Sequence, residues 1–145
     1  MRTPVAVMLA LIVTSTGCAA QARHTYKGFE VGIKSVERVG WDWVYQEVME
    51  FTAKPGAELV VVTLTVKALT DGGTFEPNTW ELYAADGAKA ETLIKSVSIR
   101  GIERGQTREA QLCFAVSRGS TLKTFKLDDV SFDVTALARS LPSSK

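Results

Sequence analysis

Apolar and polar residues alternate along most of the chain with a period of two. That spacing puts one side of a strand in a core and the other in water. Phe29, Val31 and Ile33 alternate with Glu30, Gly32 and Lys34, and the run continues to Val36, which predicts a half-buried strand. Trp41, Trp43 and Tyr45 alternate with Asp42, Val44 and Gln46, which predicts a second extended segment after the turn at Gly40. Lys54-Pro55-Gly56 is a turn signal, since Pro presets one dihedral and Gly permits the next. Residues 58–69 follow, dense in β-branched side chains and alternating at Val60, Val62, Leu64 and Val66, the pattern of a central strand.

The same reading continues toward the C-terminus. Thr70 to Thr74 is a loop, and Trp80 to Ala85 is a strand closed by Asp86-Gly87. Ser96 to Ile102 is a short strand, and Ala110 to Val116 puts Leu112, Phe114 and Val116 on one face. Leu122 to Leu127 and Val130 to Val134 form a final pair, or one bent strand broken at Asp128-Asp129. Residues 136–145 read as a flexible tail with room for one helical turn. Seven to nine short strands with turns between them predict an all-β chain folded as an antiparallel β-sandwich.

The first residues break this pattern. Arg2 precedes an unbroken apolar run from Val5 to Val13, too short to cross a bilayer and of the length of a secretory core region. Ser15-Thr16-Gly17 then leads into Cys18, and the segment resembles the cleavage box of a bacterial lipoprotein signal peptide. One departure is Ser15, where that family usually has Leu. The resemblance implies that residues 1–17 are removed, that Cys18 carries the lipid, and that residues 18–27 tether it to a domain spanning 28–135. It also implies a cell-envelope location facing the periplasm or exterior, and the outer membrane by the residue after the cysteine, Ala19, where a second membrane exists. An ordinary signal peptide cut near Ala19-Ala20-Gln21, with Cys18 discarded, is the alternative.

Removing the leader costs Arg2 and leaves 16 basic against 16 acidic residues. This balance argues against nucleic acid, which requires a concentrated basic surface, and against a polybasic grip on lipid headgroups. Membrane attachment therefore falls to the lipid on Cys18. Cys113 is the second of the chain's two cysteines, so a domain that begins after Cys18 has no internal disulfide and depends on its core.

Two longer stretches carry a resemblance. Gly28 to Val36 (GFEVGIKSV) and Pro55 to Leu69 (PGAELVVVTLTVKAL) are similar to a group of bacterial secreted and lipid-anchored domains of immunoglobulin-like fold. That group has no assigned activity and is related to a small secreted mycobacterial antigen. Glu76 to Gly87 (EPNTWELYAADG) and Ile102 to Val116 (IERGQTREAQLCFAV) fit the same pattern of a strand ending in Asp-Gly, then Gly before Leu-x-Phe-x-Val. Lys67-Ala68-Leu69 departs from it, as many members place Asn there. The resemblance covers roughly residues 28–134 and implies an immunoglobulin-like sandwich. It supplies no catalytic residue.

Candidate chemistry is sparse. His24 is the sole histidine and falls in the tether, so a multi-histidine zinc site or a histidine-based triad cannot form within one chain. Cys113 lies opposite the inward face of its strand, with no neighbouring base evident in the sequence, and reads as a partly covered, unreactive thiol, with an intermolecular disulfide as the alternative. Asp71, Asp86, Asp128, Asp129 and Asp133 match no calcium loop and read as turn residues. Glu47 and Glu50 are the nearest approach to a glycosidase pair. No cofactor or metal is expected.

The aromatics divide. Trp80 is expected in the core, as in other immunoglobulin-like folds. Trp41, Trp43 and Tyr45 are the candidate partner-binding surface, because rigid amphipathic rings give contact area at low entropic cost. The function expected is a non-catalytic binding or assembly module for an envelope protein or glycan, held near the membrane by Cys18. A small-ligand or metal carrier and an envelope-acting hydrolase are the rivals.

Overall fold

Two long strands at the centre of one sheet carry the architecture. In the computed structural model, which describes residues 23–39, 56–93 and 97–139, β3 (Ala57–Ala68) pairs antiparallel with β8 (Thr107–Ser117) from Ala57↔Ser117 to Lys67↔Thr107. β2 (Phe29–Val39) flanks β3 on its other side, β1 (Arg23–Tyr26) lies outside β2, and the short β6 (Glu91–Thr92) lies beside β8. The order is β1-β2-β3-β8-β6. β5 (Trp80–Ala84), β9 (Leu122–Leu127) and β10 (Val130–Asp133) form a second sheet in the order β10-β9-β5. β4 (Gly73–Phe75) and β7 (Ile99–Ile102) pair separately, and α1 (Thr135–Arg139) follows β10.

The two main sheets face each other across an aromatic and aliphatic core. Val60, Val62, Leu64 and Val66 of β3 and Leu112 and Phe114 of β8 are buried against Leu82, Phe125 and Leu127 of the smaller sheet. The Phe114 and Phe125 rings meet edge to face across the layers, 6.2 Å between centroids. Phe75 closes one side, with Tyr26 and Phe29 each 5.7 Å away in the same geometry. Each such ring, fully buried, contributes about 1.5–3 kcal/mol.

Val36 shares the inner face with Phe29, Val31 and Ile33 although it is out of step with them. The pairing jumps from Ile33↔Leu64 to Ser35↔Thr63, so Lys34 is the extra residue of a β-bulge and resets the parity of the strand.

The sandwich also begins earlier than the sequence pattern indicates. Arg23–Tyr26, assigned from sequence to the polar tether, is paired with β2 from Arg23↔Gly32 to Tyr26↔Phe29. Lys27 (φ 45°) and Gly28 (φ 86°) make the two-residue turn, both in the left-handed region that such tight hairpins require. Gly28 supplies that conformation without strain, and the Lys27 ammonium lies 5.3 Å above the Tyr26 ring. Thr70 to Thr74, read as a loop, includes the first residues of β4, and β6 was not anticipated.

Candidate functional site

A cleft of about 290 Å³ opens at one end of the sandwich, where the start of β3 and the end of β8 meet the connection from β5 to β6. Its walls are small: Gly56, Ala57, Ala84, Ala88, Ala90 and Ala115. The β5–β6 connection is held against the smaller sheet by the Ala90 N–H to the Leu82 carbonyl (2.8 Å) and the Ala84 N–H to the Ala88 carbonyl (2.9 Å). Asp86 shapes the turn by accepting from the Ala88 N–H at 2.9 Å. The cleft lies at the small end of the roughly 300–1,000 Å³ typical of ligand sites, a size for one side chain or a sugar-sized group.

Polar chemistry at the rim is largely neutralised. Lys89 lines the cleft, and its ammonium lies 3.0 Å from Glu81 Oε2, while the Tyr83 hydroxyl donates to Glu81 Oε1 at 2.9 Å. The bond to Glu81 holds Lys89 above its ordinary pKa, and the bonds from Lys89 and Tyr83 hold Glu81 below its own. At neutral pH neither is poised to exchange a proton. His24, the chain's one histidine, is remote from the cleft. It sits in β1, at the opposite edge of the five-stranded sheet from β6, with its ring 4.7 Å from Phe132 and perpendicular to it. The tether assignment made it a solvated linker residue, whereas it is half-buried at the edge of the sandwich.

Asp71, Asp86, Asp128 and Asp133 accept hydrogen bonds within the fold. Asp71 accepts from the Arg104 N–H at 2.8 Å, Asp133 from the Thr135 N–H at 2.9 Å, and Asp128 from Asn78 and Thr79. Among the described residues no three His, Cys, Asp or Glu side chains are grouped to hold a metal ion.

Cys113 lies opposite Leu112 and Phe114, as its strand parity requires, but that second face is covered rather than partly open. The thiol is fully buried with Leu59, Val61, Leu93 and Ala115, and burial pushes its pKa up to about 12. A thiol in that state is a poor nucleophile. Trp80 is in the core as expected, 7% exposed, and its indole N–H has no hydrogen-bond partner among the described residues. Cys18, Trp41, Trp43 and Tyr45, together with Glu47 and Glu50, lie outside the described residues. The cleft itself had no sequence signal, since alanines and glycines at strand ends look alike whether or not they line a hollow.

With this geometry the protein is similar to two solved structures. One is a conserved hypothetical protein from Bacillus anthracis, with a TM-score of 0.50 and 13% identity over 78% of this chain and 92% of that one. The fold is an all-β antiparallel sandwich. The other is MPT63, a secreted protein from Mycobacterium tuberculosis, with a TM-score of 0.47 and 15% identity over 78% of this chain and 87% of that one. No family model matches the chain, and no curated protein matches it.

Proposed function

We propose that the protein is a lipid-anchored cell-envelope component whose immunoglobulin-like sandwich is a non-catalytic binding or assembly module. The observation that carries this reading is the separation of reactive groups. The one histidine is at a far edge of the sheet from the cleft, the Cys113 thiol is buried, and Lys89 at the cleft is paired with Glu81. Apart from Lys89, Glu91 and Ser117, the cleft has small aliphatic walls able to receive a side chain or a glycan unit.

The membrane tie rests on the leader sequence and Cys18. Acyl chains there would confine the module to a thin layer and raise its effective concentration toward envelope partners. Cys18→Ser tests this. The substituted protein is expected in the soluble fraction, with the parent in the membrane fraction. Continued tight membrane association of the substituted protein overturns the anchor.

A further inference from the structure

We propose that the end of the sandwich farthest from the cleft docks on an anionic lipid surface. Leu69 enters the headgroup layer there, and Lys27, Lys67, Arg104 and Arg108 face the phosphates around it. This goes beyond the anchored-module reading and does not require the lipid on Cys18.

Three turns meet at that end, and backbone bonds fix them to one another. The Leu69 N–H donates to the Gly28 carbonyl at 2.9 Å, the Ala68 N–H to the Gln106 carbonyl at 3.0 Å, and the Gly105 N–H to the Ala68 carbonyl at 2.9 Å. The Gly72 N–H reaches the Ile102 carbonyl at 3.2 Å, and Asp71 Oδ1 accepts from the Arg104 N–H at 2.8 Å. The β1–β2, β3–β4 and β7–β8 connections therefore present their side chains from one braced platform.

Among the described residues Leu69 is the one large apolar side chain left exposed, at 40%. A lone surface leucine needs no explanation, but its surroundings give this one a meaning. Lys27, Lys67, Arg104 and Arg108 are all exposed, and among the described residues none of them is in an ion pair. Asp71 and Glu103 are the acidic residues of the same turns. Glu30 is opposite Lys67 in the β2–β3 register, but its carboxylate lies 3.6 Å from Arg23. Lys89 and Arg38, nearer the cleft, are each paired with a glutamate. The equal totals of basic and acidic residues thus conceal an uneven distribution.

An apolar side chain ringed by cations suits a peripheral lipid contact. The cations meet anionic headgroups while the apolar group enters the acyl boundary. Four cations against two carboxylates leave an excess of two, which favours an anionic surface about 25-fold at about fivefold per charge. A contact of that strength orients a molecule already beside a bilayer rather than holding it there alone. β3 runs from Ala57 at the cleft to Ala68 at this end, about 36 Å away. Docked in this way, the protein turns its cleft away from the membrane.

The test places a polarity-sensitive fluorophore at one site of the full chain carrying Cys18→Ser. Cys113 is buried and its thiol is held protonated, so a cysteine introduced at the surface takes the label. The label at Leu69→Cys should shift to the blue on vesicles of equimolar phosphatidylcholine and phosphatidylglycerol, and stay unshifted on phosphatidylcholine alone. At Ala88→Cys, beside the cleft, it should shift on neither. At the vesicle level that gives half the full shift, adding Arg104→Gln with Arg108→Gln should cut the shift about tenfold. Arg118→Gln with Lys123→Gln, near the other end, should leave it unchanged. Residues 1–17 are common to every protein compared. No shift at position 69, an equal shift on both kinds of vesicle, or an equal response to the two pairs of substitutions overturns the proposal. None of these outcomes bears on whether Cys18 carries a lipid.

Discussion

The Tyr26 hydroxyl donates a hydrogen bond to Asp128 Oδ2 across 102 positions of sequence. The other oxygen of that carboxylate accepts from the Asn78 N–H at 3.1 Å, the Thr79 N–H at 2.8 Å and the Thr79 hydroxyl at 3.2 Å. One side chain therefore ties the first strand, the approach to β5 and the β9–β10 turn together. Asp128 holds φ at 52° to do so, a backbone region that aspartate tolerates better than most residues.

This linkage predicts loss of stability at both ends of the pH range. Burial raises the Asp128 carboxyl, but the hydrogen bonds from Tyr26, Thr79 and Asn78 outweigh it and leave the group below its ordinary pKa. Its contribution is present above the unfolded value of about 4 and is lost as pH falls through the folded value. Burial, then the bond to Asp128, pushes the Tyr26 phenol above its ordinary pKa. That contribution is present below about pH 10 and is lost as pH rises through the folded value. Melting temperature against pH should therefore fall less in acid for Asp128→Asn and less in alkali for Tyr26→Phe than for the parent. Each should cost about 1–3 kcal/mol at neutral pH, and parallel profiles would refute the linkage.

Arg38 and Glu58 form a buried ion pair in the sandwich. Arg38 Nε lies 3.0 Å from Glu58 Oε1, with the side chains 11% and 6% exposed. Arg38 Nη2 also donates to the Ser120 carbonyl at 2.8 Å, and the Gly119 N–H donates to Glu58 Oε1 at 3.2 Å. Glu58→Ala strands a buried guanidinium and should cost about 3–5 kcal/mol by urea denaturation. Replacing both members, Arg38→Met with Glu58→Leu, should recover most of that loss. A double replacement as damaging as the single one would contradict the account.

Gly73 is a matter of space. A Cβ added there would sit 2.9 Å from Phe29 Cζ, and Phe29 is 3% exposed against Phe75. Gly73→Ala should cost about 1–3 kcal/mol through the displaced ring. In a Phe29→Leu background the same substitution should cost clearly less, measured as a double-mutant cycle. Additive effects would show that the ring is not the obstacle.

Trp80 sets its bulk against its polarity. Trp80→Ala should cost about 3–5 kcal/mol through the cavity it leaves. Trp80→Phe removes the unpaired buried N–H together with some volume, so the two changes offset and the cost should stay under about 1.5 kcal/mol. Thermal melts of the two variants decide it, and a Phe variant as unstable as the Ala variant would show that the indole N–H is not a burden.

The sequence by itself determined the class of fold and the inward faces of its long strands. A period of two is a local property, so Val60, Val62 and Leu64, and likewise Leu112 and Phe114, could be assigned to one core from spacing alone. Trp80 was expected in the core by analogy with immunoglobulin-like folds, not from spacing. Where the chain carried non-local information, spacing failed. Arg23 to Tyr26 looked like a tether because a polar edge strand is held mainly by backbone bonds to its neighbour and by a few distant contacts, here Asp128 and Phe132. The Lys34 bulge reset a parity that the apolar pattern only hinted at. Cys113 was placed on the correct face, but the covering of that face depends on parts of the chain far away in sequence. The cleft was invisible for the same reason. Ala57, Ala84, Ala88 and Ala115 are unremarkable in four separate stretches, and only tertiary structure brings their small side chains around one hollow.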